Sequence, residues 1–112
     1  MESHVTQPTY VALDLETTGL LPERDAIIEV GMVKFAGRRV LDTFSSLVNP
    51  GRRIPFQITQ LTGITEEDLR DAPPLRALLP QIRQFIGDSI LVGHSVEFDL
   101  NFLAHAGLRL SN

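Results

Sequence analysis

The apolar positions fall into blocks whose spacing changes along the chain. YVALDL, Tyr10 to Leu15, alternates poorly and is rich in apolar residues, as expected of a strand covered on both faces. AIIEVGMVKF, Ala26 to Phe35, reads as a second strand and Gly37 as a turn, with Val40 to Val48 a third strand that ends at Asn49-Pro50-Gly51. Three strands joined by short connections predict an antiparallel meander. The spacing then changes: Pro55 to Leu61 suits a short helical turn, and Thr65-Glu66-Glu67-Asp68 resembles a capping box with Asp in place of the usual Glu. Pro73 and Pro74 introduce the clearest helix, in which Leu75, Leu78, Leu79, Ile82, Phe85 and Ile86 recur at helical spacing before Gly87. Ile90-Leu91-Val92 predicts a fourth strand, Ser95 a helix N-cap, and Val96 to Ala106 a second long helix stopped by Gly107. This order of elements implies an α/β fold. Residues 1–8 read as a polar lead-in and 9–112 as one domain.

Composition narrows the classes of function. With 112 residues, 43% hydrophobic and 21% charged, the chain is of ordinary globular type and forms one domain. It has no Cys, which removes disulfide frameworks and thiolate metal sites. No apolar run reaches membrane-spanning length, and MESHVTQPT lacks the basic flank and apolar stretch of a signal peptide, so a cytoplasmic location without membrane contact is expected. A net charge of −4 argues against coating nucleic acid through a broad basic face. It leaves room for a metal-centred nuclease, whose cations supply positive charge locally.

DLETTG, Asp14 to Gly19, carries the candidate chemistry. In a strand, Asp14 and Glu16 point to the same side with Cα atoms roughly 6.5 to 7 Å apart. Carboxylates about 5 Å apart repel by about 3 kcal/mol at an effective dielectric near 20. A hard divalent cation relieves that repulsion, and Mg²⁺ prefers oxygen ligands. Thr17, Thr18 and Gly19 offer hydroxyls and a backbone that can approach a phosphate or sugar. On this segment alone a solvated turn at a strand end is an equal reading. The second constellation is GHSVEFDLNFL, Gly93 to Leu103, where Asp99 lies in the first turn or so of a helix that favours negative charge there, and where Phe98 and Phe102 share a face. An acid pair ending one apolar strand, joined by a third acid on a helix just after another, is the combination that brings distant carboxylates to one metal cluster.

With these blocks in place, a family resemblance is evident. VALDLETTGL, AIIEVGMVKF, LVNPGRRIPFQITQLTGIT, DAPPLRALLPQIRQFIGDSILVGH and FDLNFL resemble, in order, consecutive blocks of the DEDD-type 3′-to-5′ exonucleases, the family of the proofreading epsilon subunit of bacterial DNA polymerase III. They are most similar to exonuclease domains within or beside replicative polymerases and helicases. The resemblance implies an RNase H-like mixed sheet, a three-stranded antiparallel meander plus a parallel strand, with helices. It also implies two Mg²⁺ or Mn²⁺ ions and release of nucleoside 5′-monophosphates from a nucleic-acid 3′ end, single-stranded DNA being favoured, with a DNA polymerase or helicase as partner. Carried over by motif, Asp14, Glu16 and Asp99 are metal ligands and catalytic residues. Thr17, Thr18 and Phe98 contact the terminal nucleotide.

The chain departs from the family pattern in two places. Ser95 stands where the second motif has Asn; it remains a good N-cap. The later motif, a His five positions before a fourth acidic ligand, is absent, and no acid follows Asp99. His94 has the right separation from Asp99, but Asp99 already serves the second motif; His94 reads first as a structural residue hydrogen-bonding near the site, and otherwise as a substrate contact, not as the base. His105 reads as a solvated helix residue; Arg38-Arg39 and Arg52-Arg53 follow or adjoin turns and read first as solvated loops, with phosphate contact the lesser reading. The expectation is an exonuclease domain represented by its N-terminal two-thirds and C-terminally incomplete. Such a piece would lack a final strand and helix, leave apolar surface uncovered on the second long helix, and have little or no activity alone. Two other readings stay open: a catalytically inactive module that holds a polymerase or nucleic-acid end, and an exoribonuclease of the same superfamily.

Overall fold

The computed structural model describes residues 7–112. Most of the lead-in, with His4, lies outside them. Eight elements follow: β1 (Tyr10–Thr17), β2 (Ile27–Ala36), β3 (Arg39–Leu47), α1 (Phe56–Thr62), α2 (Glu66–Arg70), α3 (Leu75–Ile86), β4 (Ile90–Val92) and α4 (Val96–His105). The order in the sheet is β3-β2-β1-β4, with β1–β2 and β2–β3 antiparallel and β4 parallel to β1. This is the meander plus one parallel strand expected from the sequence.

One face of the sheet carries the core. Val11, Leu13 and Leu15 of β1 and Val30 and Met32 of β2 are buried with Leu78, Ile82 and Ile86 of α3 and Phe102 and Leu103 of α4. Each fully buried side chain of this kind contributes roughly 1.5–3 kcal/mol. The expectation that β1 is covered on both faces is not met. Tyr10 and Ala12 are only half-buried and Asp14 is exposed, because α3 and α4 both pack on the opposite face. A hollow remains there, lined by Ala12, Asp14, Gly31, Val33, Thr43 and Ser45 among others.

A register shift between Glu16 and Thr17 shapes the end of β1, where Glu16 faces Glu29 but Thr17 faces Ile27. The extra residue, Ile28, is then free to bury in a second cluster with Ile54, Ile64 and Leu69, which anchors α1 and α2. The capping box forms as read: the Asp68 N–H donates to Thr65 Oγ1 (3.1 Å) and the Thr65 N–H to Asp68 Oδ2 (2.9 Å). These bonds hold the Asp68 carboxyl below its usual range.

Two local expectations fail. Ser95 occupies the N-cap position of α4 but its hydroxyl caps nothing, since at φ −136°, ψ 57° it leaves the extended geometry that aims a cap at the first turn. The second long helix, α4, leaves none of its large apolar residues fully exposed, although Val96, Phe98 and Leu100 are only half-buried. Phe102 and Leu103 are buried, and Leu108 beyond Gly107 folds under it, its N–H donating to the Leu103 carbonyl at 2.8 Å. Exposed apolar surface lies instead at Leu20, Val40, Phe56, Leu61 and Ile90.

Candidate active site

The parallel pairing of β4 with β1 decides where α4 begins. Both strands end on the same side of the sheet, the side on which open α/β sheets bind ligands. Gly93 follows β4 and passes directly against β1: a Cβ on it would sit 2.8 Å from the Leu13 carbonyl oxygen. Only glycine permits that approach, and it brings the first turn of α4 beside Asp14 and Glu16.

The three acids chosen from the sequence come within electrostatic range of one another. Asp99 is 4% exposed, and its pKa is pushed up to about 6, first by desolvation and then by the charges of Asp14 and Glu16. Glu16 is raised as well, by desolvation, then Asp14, then Glu29. Among the described residues these carboxylates accept no hydrogen bond and form no ion pair. Neither does any group of three approach closely enough to close a metal site by itself. Loss of water is the larger cause of the raised Asp99 pKa, and repulsion from Asp14 and Glu16 adds to it. The donor set is all oxygen and rich in unspent acceptors, which fits a hard divalent cation. Asp14, Glu16 and Asp99 would hold it.

Glu29 was missed in the sequence. It stands directly opposite Glu16 across β1–β2, a pairing set by strand register, and nothing in AIIEVGMVKF alone reveals it.

The remaining candidates divide by what their side chains already do. Thr17 Oγ1 donates to the Gly19 carbonyl at 2.7 Å. Thr18 is buried and its Oγ1 accepts from the Ala26 N–H at 2.9 Å, so its hydroxyl ties the β1–β2 connection together. The close approach that Gly19 allows is taken by Asp25, whose carboxylate lies where a Cβ on residue 19 would point. Phe98 is half-buried and packs on Phe102, ring centroids 4.9 Å apart. His94 is exposed, lines the hollow beside Asp14, and makes no side-chain hydrogen bond among the described residues. His105 is exposed at the far end of α4, as expected.

The sequence pattern of the RNase T exonuclease family matches residues 11–112. The chain belongs to that family. It is 44% identical over 97 residues to a PolC-type DNA polymerase III of Bacillus subtilis, covering 87% of this chain and 7% of the polymerase. It is 40% identical over 103 residues to the DNA polymerase III epsilon subunit of Aquifex aeolicus, covering 92% of this chain and 51% of the subunit. The chain thus spans about half of the one relative and a small part of the other. E. coli exonuclease I, in a metal-free complex with single-stranded DNA, superposes with a TM-score of 0.75 at 20% identity over 86% of this chain and 23% of that one. This likeness establishes a shared fold, the RNase H-like exonuclease architecture.

Proposed function

We propose that this exonuclease-family chain supplies the carboxylate centre of a metal-dependent 3′-to-5′ exonuclease acting on the end of single-stranded DNA. The observation that carries the reading is the approach of Asp99 on α4 to Asp14 and Glu16 on β1, in a site where no donor among the described residues offsets the negative charge. Membership of the family and the kinship with polymerase III exonuclease regions support it. They also point to a replicative polymerase as partner.

Asp14, Glu16 and Asp99 would bind Mg²⁺ or Mn²⁺ through oxygen. Two such ions, when bound, lower the pKa of an attacking water and stabilise the leaving oxygen. The chain's own residues then have positioning tasks. The β1 pleat holds Asp14 and Glu16 on one side, and Gly93 seats α4 so that Asp99 meets them. The carboxylates repel a phosphodiester in the absence of cations, so binding of the reacting end depends on metal. Thr17 retains acceptor capacity for a sugar hydroxyl, and Phe98 and His94 would meet the terminal nucleotide.

Residues 100–112 add no acid to Asp14, Glu16 and Asp99, and three carboxylates in the described residues leave open a second reading, an inactive module that holds a nucleic-acid end. The test is calorimetric titration with Mn²⁺ of the wild type, Asp14→Asn and Asp99→Asn, with hydrolysis of matched 5′-labelled DNA and RNA oligonucleotides. The expected result is Mn²⁺-dependent shortening of DNA from the 3′ end, lost in both variants. Metal binding indifferent to both substitutions overturns the proposal, metal binding without turnover selects the inactive module, and faster RNA cleavage selects an exoribonuclease.

A further inference from the structure

The chain is acidic overall, yet its cations are unevenly placed. Of the ten Lys and Arg residues only Lys34 is a lysine, and Arg24, Arg52, Arg53, Arg70 and Arg76 gather around the turn that follows β3. The Arg52 Nη1 donates to the Arg24 carbonyl at 2.6 Å, which fastens the residue 50–53 loop to the β1–β2 connection. Asn49 fixes its other side: Nδ2 donates to the Arg70 carbonyl at 3.2 Å, and Oδ1 accepts from the Gly51 N–H at 2.8 Å. A concavity of about 330 Å³ results, lined by Asn49, Arg52, Arg53, Glu66 and Arg70 among others. Asn49 and Pro50 also line the neighbouring hollow that contains Arg76, so the two adjoin.

Among the described residues two acids offset part of this charge: Asp25 Oδ1 lies 4.0 Å from Arg24 Nε, and Glu66 lies beside Arg53. Glu66 is the one acid lining the concavity, and its Oε2 already accepts from the Ile54 N–H at 3.0 Å. Its Oε1 lies 3.9 Å from Arg53 Nε, and the Arg53 side chain stays 93% exposed. Arg52 and Arg70 make no ion pair among the described residues. Each guanidinium offers five N–H donors in a planar fork suited to phosphate oxygens.

The position matters as much as the charge. Val48, just before the turn, donates its N–H to the Ile28 carbonyl, and Leu47 faces Glu29, which faces Glu16. Two strand spacings, about 10 Å, separate the chain entering the cluster from the acid pair. The cluster therefore flanks the carboxylates at the same end of the sheet.

We propose that Arg52, Arg53 and Arg70, with Arg24 and Arg76 beside them, form a second subsite that binds the phosphodiester backbone of the nucleic-acid strand away from its reacting end. The proposal rests on the exonuclease reading and deepens it. The carboxylates take the terminal phosphodiester with metal, whereas the arginines hold the following backbone without it.

The test is fluorescence anisotropy with a fluorescein-labelled oligothymidylate in EDTA across a range of salt. For single strands each lost phosphate contact lowers the salt slope of log K by about 0.7, so Arg52→Ala/Arg70→Ala is expected to lower it by about 1.4. Arg52→Lys/Arg70→Lys keeps the charges and the slope. Arg38→Ala/Arg39→Ala removes the same charge roughly 27 Å away along β3 and leaves the slope unchanged. An unchanged slope in the first variant, an equal loss in the hairpin variant, or a loss in the lysine variant overturns the subsite. If Asp14- and Asp99-dependent hydrolysis persists while the slope does not move, the subsite alone fails; if wild type neither binds the strand nor hydrolyses it, the exonuclease reading fails too.

Discussion

Asp25 and Asp99 are both largely buried carboxylates near the end of β1, and their surroundings are opposite. Asp25 Oδ2 accepts from the Leu21 N–H at 3.0 Å, Oδ1 lies 3.5 Å from Thr18 Oγ1, and the Arg24 guanidinium stands 4.0 Å away. Its acceptor capacity is spent on holding the β1–β2 connection. Asp99 faces Asp14 and Glu16 with no donor among the described residues. A buried charge left without partners is costly, and such a group is retained where something outside the protein completes it. The contrast separates a carboxylate that builds the fold from one that serves a ligand.

The sharpest way to break that contrast is to exchange the roles. Asp99→Asn is expected to lower Mn²⁺ affinity on the order of 100-fold, given that even the partners of metal ligands cost 10- to 100-fold. Asp25→Asn should leave that affinity within about threefold and lower the unfolding free energy instead, by roughly 1–3 kcal/mol in chemical denaturation. Equal effects of the two on metal binding would erase the distinction. Gly93→Ala tests the backbone contact that delivers Asp99: the added Cβ meets the Leu13 carbonyl at 2.8 Å, and about 1–3 kcal/mol of stability should be lost together with metal affinity.

A smaller effect is read in pH. With Asp99 titrating about 6 in the folded chain against an ordinary 3.8, the folded state holds a proton that the unfolded state has released between those values. Stability without metal should therefore fall as pH rises from about 4 to 6, and the raised pKa of Glu16 acts in the same direction. Asp99→Asn should flatten that fall in melting curves, and a fall of unchanged size would show that other groups cause it. The smallest change belongs to a site remote from the carboxylates. Thr65→Ala removes the cap of α2, is expected to cost about 1 kcal/mol, and should leave Mn²⁺ affinity as it was.

Much of this was legible along the chain. Side-chain alternation in an extended strand places Asp14 and Glu16 on one side wherever that strand lies, and the spacing from Leu75 to Ile86 specifies the helix face that α3 buries. Both are local consequences of backbone geometry, as is the Thr65–Asp68 box. The family blocks extended that reading to Asp99. Which of the DLETTG hydroxyls is free was not legible, because Thr18 and Gly19 are occupied by Ala26 and Asp25 from the far side of the connection. Nor was the idle hydroxyl of Ser95.

What the sequence by itself determined are the properties that depend on neighbours within a turn or a pleat: element types, the shared side of Asp14 and Glu16, and the capping of α2. The tertiary structure alone decided which face of the sheet stays open, that Glu29 stands against Glu16, and how far Asp99 is removed from water. Those depend on strand register, on a bulge that buries Ile28, and on one glycine crossing a carbonyl. Each is a contact between segments whose separation along the chain carries no information about their distance in space.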